Sequence, residues 1–261
     1  MCPRPERLVN GTGFLGRGRM VCHCLLVETK DGLLLVDTGI GLEDAKARGG
    51  RLGKGFALAM GARFDPDEAA VNQVVRLGYR VEDVRHVVPT HLDLDHASGL
   101  VDFPLATAHT LDREHEAAMT VPTWVESLRY ISALWKHGPR WKLHSIGPEK
   151  WFGLDAVRIA DEPEVLLVAL FGHTRGHCGV AVRSGERWLL HAGDAYFSHG
   201  EVHAERRTCP LGLRAFQWVV ERDRQARLGN QARLRELART RPELTIFSAH
   251  CPIEFDRLAR S

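Results

Sequence analysis

A dense group of metal-ligand-type side chains occupies residues 91–96, which read His-Leu-Asp-Leu-Asp-His. Imidazole nitrogens and carboxylate oxygens are among the protein groups that bind divalent metals such as zinc, manganese and iron. A charged surface loop that happens to follow a strand is the simpler alternative. So many ligand types in so short a stretch favour a metal site, and its candidate ligands are His91, Asp93, Asp95 and His96.

Further ligand-type residues follow apolar runs later in the chain. His173 and His177 come after the run 164–171 in Gly-His-Thr-Arg-Gly-His, Asp194 follows the run 187–192, and His250 follows the run 244–248. A sheet brings the ends of its strands to a common edge, where loops are free to hold a metal. The repeated arrangement therefore predicts that His173, Asp194 and His250 belong to the same metal site as the 91–96 group.

The strands that must position these residues are predicted from apolar runs and turn signals. Asp31-Gly32 separates the runs 21–29 and 33–37 and predicts a hairpin. The run from Val84 to Thr90 predicts the strand that delivers the 91–96 loop. Other strands are predicted at 105–109, 155–159, 164–171, 178–183, 187–192 and 244–248. Because strands and helices occur both before and after residue 120, we expect two packed sheets with helices outside.

Helices are predicted between these strands. Asp65 as N-cap, Pro66 at the first helical position and Gly78 as the stop predict one helix. Shorter patterns predict helices at 111–119, 212–227 and 231–239. The glycine-rich stretch 41–64 shows little periodicity and is expected to be a surface loop near the site.

Residues 120–146 form a segment of a different character. Its apolar residues Trp124, Leu128, Ile131 and Trp135 lie at helical spacing, which predicts a helical cap insertion. Such a helix either packs its apolar face on the body of the domain or lines an apolar substrate pocket. The sequence leaves both alternatives open.

Composition bounds the class of protein. A chain of 261 residues with 44% hydrophobic content fits one large domain, expected to span 1–261, or at most two small ones. A net charge of +2 favours neither nucleic acid nor an anionic membrane as partner. The first residues contain no apolar run, so we expect no signal peptide and a cytoplasmic location. The six cysteines are then expected to be thiols, with Cys22 and Cys24 in the core.

The order of these motifs resembles the metallo-β-lactamase-fold superfamily of hydrolases. The resemblance runs from Asp37-Thr38-Gly39 through the 91–96 motif and the later Gly-His and Gly-Asp motifs to His250. It implies an α/β fold, a four-layer αββα sandwich of two mixed sheets with outer helices, and a binuclear metal site. It implies a first metal held by His91, Asp93 and His173, a second held by Asp95, His96 and His250, and Asp194 as the bridge. His177 resembles a residue that positions a ligand.

Asp93 departs from the pattern, because most hydrolases of this superfamily have histidine there and the flavodiiron branch has glutamate. With Asp93, the three carboxylates and a bridging hydroxide balance the charge of two divalent ions, whereas histidine would leave one positive charge. We expect two divalent metal ions, zinc in the first place, with manganese or iron as alternatives at the Asp93 site. Asp93→His should shift metal preference toward zinc and move the alkaline limb of the pH–rate profile lower, which metal content and a pH profile measure.

The resemblance implies a metal-dependent hydrolase, lactonase-like or esterase-like, that uses a bridging hydroxide to cleave a lactone or carboxylic ester. Asp95 would orient the hydroxide and carry a proton to the leaving group. Tyr196 is a candidate for contacting the substrate carbonyl, and a buried aromatic is the equal alternative. The expected partner is a small, partly apolar substrate, with no nucleic acid and no membrane, and the chain is expected as a monomer or homodimer.

Other function classes remain beside this one. A phosphoester hydrolase would use the same ligands, and a di-iron redox protein resembling the flavodiiron proteins would explain the carboxylate at position 93. A non-catalytic binding module on the same fold is a third alternative. The complete set of ligand types favours hydrolysis, since a binding module has no need for it.

Overall fold

The structure is a computed structural model that describes residues 5–259 except residues 12, 14 and 15. Contacts within the chain divide it into two compact units. The N-terminal unit is Cys24–Ser145, and the C-terminal unit combines the chain up to His23 with the chain from Ile146 onward. Each unit contains one sheet and its own apolar core, and each is described by itself.

The sheet of the N-terminal unit is mixed. Its strands, in spatial order, are β1 (Leu25–Thr29), β2 (Gly32–Val36), β3 (Val84–Val88), β4 (Thr107–Leu111) and β5 (Arg140–His144). β1 and β2 are antiparallel, and the other neighbours are parallel. The predicted hairpin is confirmed, because Thr29 pairs with Gly32 and Gly32 has φ 123°, a value that favours glycine. β1 is shorter than the predicted 21–29.

The sheet of the C-terminal unit is also mixed. Its strands are β6 (Lys150–Trp151), β7 (Leu154–Asp161), β8 (Glu164–Ala169), β9 (Cys178–Ser184), β10 (Arg187–His191) and β11 (Leu244–Phe247). Each strand pairs with the next one along the chain, so β6 and β11 form the two edges of the sheet. β10 and β11 are parallel, whereas the other neighbours are antiparallel. The five strands predicted in this part of the chain are confirmed, and β6 is an addition.

Short helices connect the strands in the described part of the chain. They are α1 (Glu6–Asn10), α2 (Leu42–Lys46), α3 (Gly53–Met60), α4 (Ala70–Arg76), α5 (Leu94–Ala97), α6 (Asp112–Thr120), α7 (Leu211–Val220), α8 (Arg224–Thr240) and α9 (Pro252–Leu258). Asp65 caps a 3-10 turn, Pro66–Glu68, through a bond from Asp67 N, and α4 follows. The predicted helix after Asp65 is therefore confirmed in a shorter, two-part form. No described helix is long and apolar enough to cross a membrane.

Each unit is held by an apolar core that fixes the strands next to the ligand loops. In the N-terminal unit, Leu33, Leu35, Val84 and Val87 are buried in one cluster with residues of the connecting helices. In the C-terminal unit, a second cluster includes the buried side chains Leu166, Val168, Leu190 and Ile246. Burial of apolar side chains contributes roughly 1.5–3 kcal/mol each, so these strands are firm supports for the loops beyond their ends.

The prediction of a surface loop at 41–64 is wrong, because α2 and α3 lie within it. Gly49 and Gly61 have φ 104° and 54°. Glycines in this conformation end helices rather than interrupt them. The side chain of Arg51 binds the buried carboxylate of Asp44 at 2.6 Å, which ties the stretch together. The many glycines of this stretch therefore led to the prediction of a loop where the structure has two short helices.

The helix predicted across 120–146 is also wrong. The segment contains two 3-10 turns, Glu126–Leu128 and Ser132–Leu134, and then β5. Trp124 and Leu128 are 78% and 67% exposed, whereas Trp135 is buried, so the apolar residues do not share one face. A cap function for this segment stays a prediction.

The break predicted between 227 and 231 is wrong as well, since α8 runs through Gly229 and Asn230. The Asp223 side chain caps the helix by accepting a hydrogen bond from Ala226 N at 2.9 Å, as residues at this position commonly do. Asn230 Nδ2 donates to Phe171 O at 2.8 Å. This side chain therefore has a tertiary partner that offsets its low helix propensity.

Candidate metal centre

The N-terminal unit carries its ligand-type residues directly after β3. Val87 and Val88 at the end of this strand are buried, and the loop that follows leads into α5, a single turn. The four predicted ligands of this loop are all present in one cluster, which we call the loop cluster: His91, Asp93, Asp95 and His96. His91 and His96 are buried, and the side chain of Asp93 is 16% exposed.

Asp37, at the end of β2, organises the two histidines of the loop cluster. Its carboxylate accepts hydrogen bonds from Thr90 N at 2.7 Å, from Thr90 Oγ1 at 3.1 Å and from His96 Nδ1 at 2.8 Å. Because the Thr90 hydroxyl donates to Asp37, it accepts from His91 Nδ1, which lies at 3.0 Å. Nδ1 of each imidazole is therefore engaged by a protein oxygen, and Nε2 is the ring nitrogen that could bind a metal.

The Nε2 atoms of the loop cluster face carboxylate oxygens. His91 Nε2 is 3.5 Å from Asp93 Oδ2, and His96 Nε2 is 3.9 Å from Asp95 Oδ1. Two ligand atoms bound at about 2.1 Å to one ion lie roughly 3.0–3.4 Å apart at octahedral or tetrahedral angles. Both pairs are wider than that spacing, the second more than the first, so a small inward shift of the side chains would let these donors share a divalent ion.

The C-terminal unit brings three further ligand-type residues together from three strand ends. His173 follows β8, Asp194 follows β10 and His250 follows β11, and all three are buried. We call them the strand-end cluster. Asp194 lies between the two histidines, with Oδ2 at 3.4 Å from His173 Nε2 and Oδ1 at 3.2 Å from His250 Nε2. Within this unit, the predicted convergence of strand ends is present.

His250 is fixed in the same way as the histidines of the loop cluster. Its Nδ1 donates to Val21 O at 2.7 Å. Because a carbonyl oxygen can only accept, His250 carries a proton on Nδ1, and its Nε2 faces Asp194. The ring of Phe197 stacks on the imidazole with 5.2 Å between ring centroids. This stacking restrains the orientation of the imidazole.

His177 positions Asp194 and is not itself a ligand. Its Nδ1 donates to Leu170 O at 2.9 Å, and its Nε2 accepts from Asp194 N at 2.9 Å. Both ring nitrogens are thus engaged by the backbone, which leaves none for a metal. These contacts are consistent with the expected role of His177, and the role of Asp194 as a ligand stays a prediction.

Tyr196 does not have the position that the predicted catalytic role requires. The side chain is fully buried in the core of the C-terminal unit, and its hydroxyl donates to Glu254 Oε1 at 3.0 Å. Burial and the neighbouring Glu254 carboxylate raise the pKa of Tyr196 well above its usual value. Glu254 also accepts from Ser248 N at 2.8 Å, so Tyr196 supports the β11 end and is removed from the catalytic set.

Several residues that build the clusters were not found from sequence. Glu114 accepts hydrogen bonds from Leu92 N at 2.9 Å and from Tyr130 Oη at 3.1 Å, and so supports the ligand loop from α6. Arg129 forms an ion pair with Asp93 at 3.5 Å. Cys22, assigned to the core from sequence, is half-buried and is of a type that could bind a metal. Among the supporting residues, only Asp37 could have been found from sequence, because it stands beside Thr38 and Gly39 at the end of a predicted strand.

The comparisons with known proteins agree with the motif order. The family model of the metallo-beta-lactamase superfamily matches residues 17–250. The chain belongs to the metallo-β-lactamase superfamily. As a member of this superfamily it is a metal-dependent hydrolase, and the predicted fold class, α/β with two mixed sheets, is confirmed.

Relatives of this superfamily member include N-acyl homoserine lactonases. The "Probable metallo-hydrolase" of Mycobacterium tuberculosis is 42% identical over 244 residues, which cover 92% of this chain and 77% of that protein. An N-acyl homoserine lactonase of Rhizobium johnstonii is 31% identical over 185 residues, 69% of this chain and 67% of that protein. One solved structure with a similar fold is an N-acyl homoserine lactone hydrolase with the product N-hexanoyl-L-homoserine at its catalytic metal centre. The two folds superpose with a TM-score of 0.67 at 21% sequence identity, over 98% of this chain and 91% of the other.

Proposed function

We propose that the loop cluster and the strand-end cluster together form one binuclear metal site that hydrolyses a small-molecule ester, either a lactone or a carboxylic ester. His91, Asp93 and His173 would hold one divalent ion, and Asp95, His96 and His250 the other. Asp194 would bridge them through its two oxygens. Zinc is the proposed ion, with manganese or iron as alternatives at the position of Asp93.

One observation carries this proposal. For His91, His96 and His250, Nδ1 is hydrogen-bonded to a protein oxygen, and Nε2 lies 3.2–3.9 Å from a carboxylate oxygen. A buried lone pair that faces a carboxylate is electrostatically unfavourable unless a proton or a cation lies between them. The donor set of imidazole nitrogens and carboxylate oxygens is therefore suited to divalent ions.

The chemistry follows from these side chains. When bound, two such ions supply Lewis acidity, which polarises an ester carbonyl and lowers the pKa of water. Asp95 would accept the proton that water loses and return it to the alcohol that leaves. Asp37, Thr90 and His177 would hold the ligands in place throughout, because their hydrogen bonds do not involve the reacting groups.

The proposed substrate is partly apolar. Trp124 and Leu128 expose most of their side chains on the 120–146 segment of the N-terminal unit. Large exposed apolar side chains on a loop often contact ligands. N-acyl homoserine lactones, which give their name to several relatives, combine a lactone with an acyl chain. We propose that these two side chains contact an acyl chain of this kind.

The test is metal analysis combined with a substrate panel. We expect about two equivalents of divalent metal per chain and hydrolysis of acyl lactones or aryl esters faster than of phosphoesters, with activity abolished by a chelator and restored by zinc or manganese. Faster turnover of phosphoesters would favour the phosphoester alternative. Two irons with a visible charge-transfer band and no hydrolysis would favour a redox protein, and either result would overturn the proposal.

A further inference from the structure

Arg129 lies beside the ligand that departs from the superfamily's pattern. Its Nε is 3.5 Å from Asp93 Oδ1, whereas the other oxygen, Oδ2, is 3.5 Å from His91 Nε2. The two oxygens of this carboxylate therefore face different partners. One faces the imidazole with which it would share a metal, and the other faces a guanidinium.

Arg129 is largely buried, so its pairing with Asp93 is not an incidental surface contact. Its side chain is only 11% exposed and that of Asp93 is 16% exposed. Water therefore screens the pair little. Charged arginine side chains are seldom this buried unless they are paired. An enclosed ion pair beside a ligand influences that ligand more strongly than a surface pair does.

The segment that carries Arg129 is attached to the ligand loop by a second contact. The neighbouring residue Tyr130 is buried, and its hydroxyl donates to Glu114, whose carboxylate also accepts from Leu92 N inside the loop. Burial, with Glu114 and then Asp93 nearby, raises the pKa of Tyr130, so the hydroxyl stays a donor. Arg129 is therefore held at a fixed place relative to Asp93.

The charge of the proposed metal site gives a reason for the Asp93–Arg129 pair. A carboxylate in place of a neutral imidazole adds one negative charge to the metal site, and a guanidinium beside it restores one positive charge. We propose that Arg129 is a positioning residue for Asp93, and that the Asp93–Arg129 pair replaces the single histidine usual at this position. This inference rests on the proposed function, because it assumes that Asp93 is a metal ligand.

Two consequences follow for the site. The Arg129 guanidinium lies 3.5 Å from Oδ1 and would favour the orientation of Asp93 in which Oδ2 faces His91, which would reduce the entropy lost on metal binding. The guanidinium would also offset the extra negative charge of Asp93, so that a bound metal would keep its Lewis acidity. The weaker Lewis acid expected from Asp93 alone is thus offset within the same unit of the protein.

The experiment is a double-mutant cycle read by metal binding. Zinc and manganese are titrated into the apo-protein against a chromophoric chelator, for the parent chain, Arg129→Gln, Asp93→His and the double variant. We expect Arg129→Gln to weaken the binding of one metal equivalent about 10–100-fold. In the Asp93→His background the same change should leave binding unaltered or tighter, because no carboxylate is left to hold.

Matched controls separate this role from folding. Arg80→Gln removes an arginine from an exposed Arg–Asp pair of the same unit, and the Arg80 side chain is 74% exposed. This change should leave metal binding unaltered, because exposed ion pairs contribute little. Arg129→Lys keeps the charge without the planar guanidinium and should recover part of the affinity. Thermal unfolding of the apo-proteins checks that each variant is folded.

The outcomes are decisive. An equal loss of affinity in both backgrounds would mean that Arg129 acts through the fold, and no loss in either would mean that it has no role, so both results overturn the inference. A parent chain that binds two metals but hydrolyses no member of the panel would refute only the proposed substrate, since this test measures binding. A parent chain that binds no metal would overturn both.

Discussion

The loop cluster and the strand-end cluster contain the same kinds of side chain but are built in opposite ways. The candidate ligands of the loop cluster are neighbours in sequence, and one outside carboxylate, Asp37, orients both of its histidines. The strand-end cluster takes each candidate ligand from a different strand end, and its supports are backbone groups and His177. Geometry in the first depends on one residue, whereas in the second it depends on the whole sheet.

The central carboxylate of the strand-end cluster gives the largest expected effect. Asp194→Asn removes the charge that faces both His173 and His250 at 3.2–3.4 Å. We expect kcat/KM to fall on the order of 10³-fold and metal content to drop below two equivalents, because the charge that would bridge the two proposed ions is lost. Steady-state kinetics with metal analysis measure this, and a variant with full metal content and activity within about tenfold would refute the bridging role.

The dependence of the loop cluster on Asp37 gives the next effect. Asp37 has φ 57°. Asparagine also tolerates this conformation, so Asp37→Asn tests the charge with little backbone strain. We expect metal affinity to fall about 10–100-fold, as when a residue that orients a metal ligand is removed. His177→Gln is the counterpart in the other cluster, where a single ligand is affected. If His177→Gln lost more metal affinity than Asp37→Asn, the loop cluster would not be the one that depends more on a single supporting residue.

The exposed apolar residues of the N-terminal unit give a smaller effect, on substrate preference. Trp124→Ala should raise KM for a decanoyl lactone about 5-fold, or roughly 1 kcal/mol, and leave a butanoyl lactone nearly unchanged. Trp218→Ala, which removes a tryptophan 65% exposed on α7 of the C-terminal unit, is the matched control. Equal changes for both chain lengths would show that Trp124 does not contact the acyl chain.

The smallest effect concerns three histidines of the N-terminal sheet that lie outside the loop cluster. His109 is hydrogen-bonded between His86 and His144, with both nitrogen–nitrogen distances 3.0 Å. Burial, and then the neighbouring His86, His144 and Lys142, lower the pKa of His109 from 6.5 to about 3. Between these values the unfolded chain binds a proton that the folded protein does not. This contribution to stability is therefore complete above pH 6.5 and decreases as the pH falls toward 3.

His109→Gln keeps two hydrogen-bonding atoms and removes the titration. Between about pH 7 and pH 6 the parent chain should lose roughly 1 kcal/mol or less of unfolding free energy that the variant retains. Urea unfolding of both chains at the two pH values, in a chelator that keeps the metal out of the comparison, measures the difference. Identical pH slopes would contradict the lowered pKa of His109.

The two clusters also show what sequence can and cannot predict. The ligand types, the strands before them and the positioning role of His177 were predictable, because apolar runs and ligand spacing are local signals. The link from Asp37 to His96 spans 59 positions and is created by the pairing of β2 with β3, which no local pattern contains. Arg129 was missed because its segment was assigned a helix from the spacing of four apolar residues that do not share a face.

Tyr196 shows a second reason why a role predicted from sequence was not supported. Its place two residues after Asp194 suggested a role in the site, but Ala195 and Tyr196 belong to the apolar core. Nearness in sequence does not determine which way a side chain points at a turn. Its partner Glu254 comes from α9, far along the chain, so burial and hydrogen bonding decided its role.

The joining of residues 21–23 to residues 249–250 has a consequence for how the protein is synthesised. His23 N donates to Ala249 O at 2.8 Å, and His250 Nδ1 donates to Val21 O at 2.7 Å, so early and late segments of the chain share one unit. The N-terminal unit is a continuous stretch and can fold as it leaves the ribosome. The strand-end cluster cannot form until His250 has been translated, so every residue of the loop cluster is synthesised before the strand-end cluster is complete.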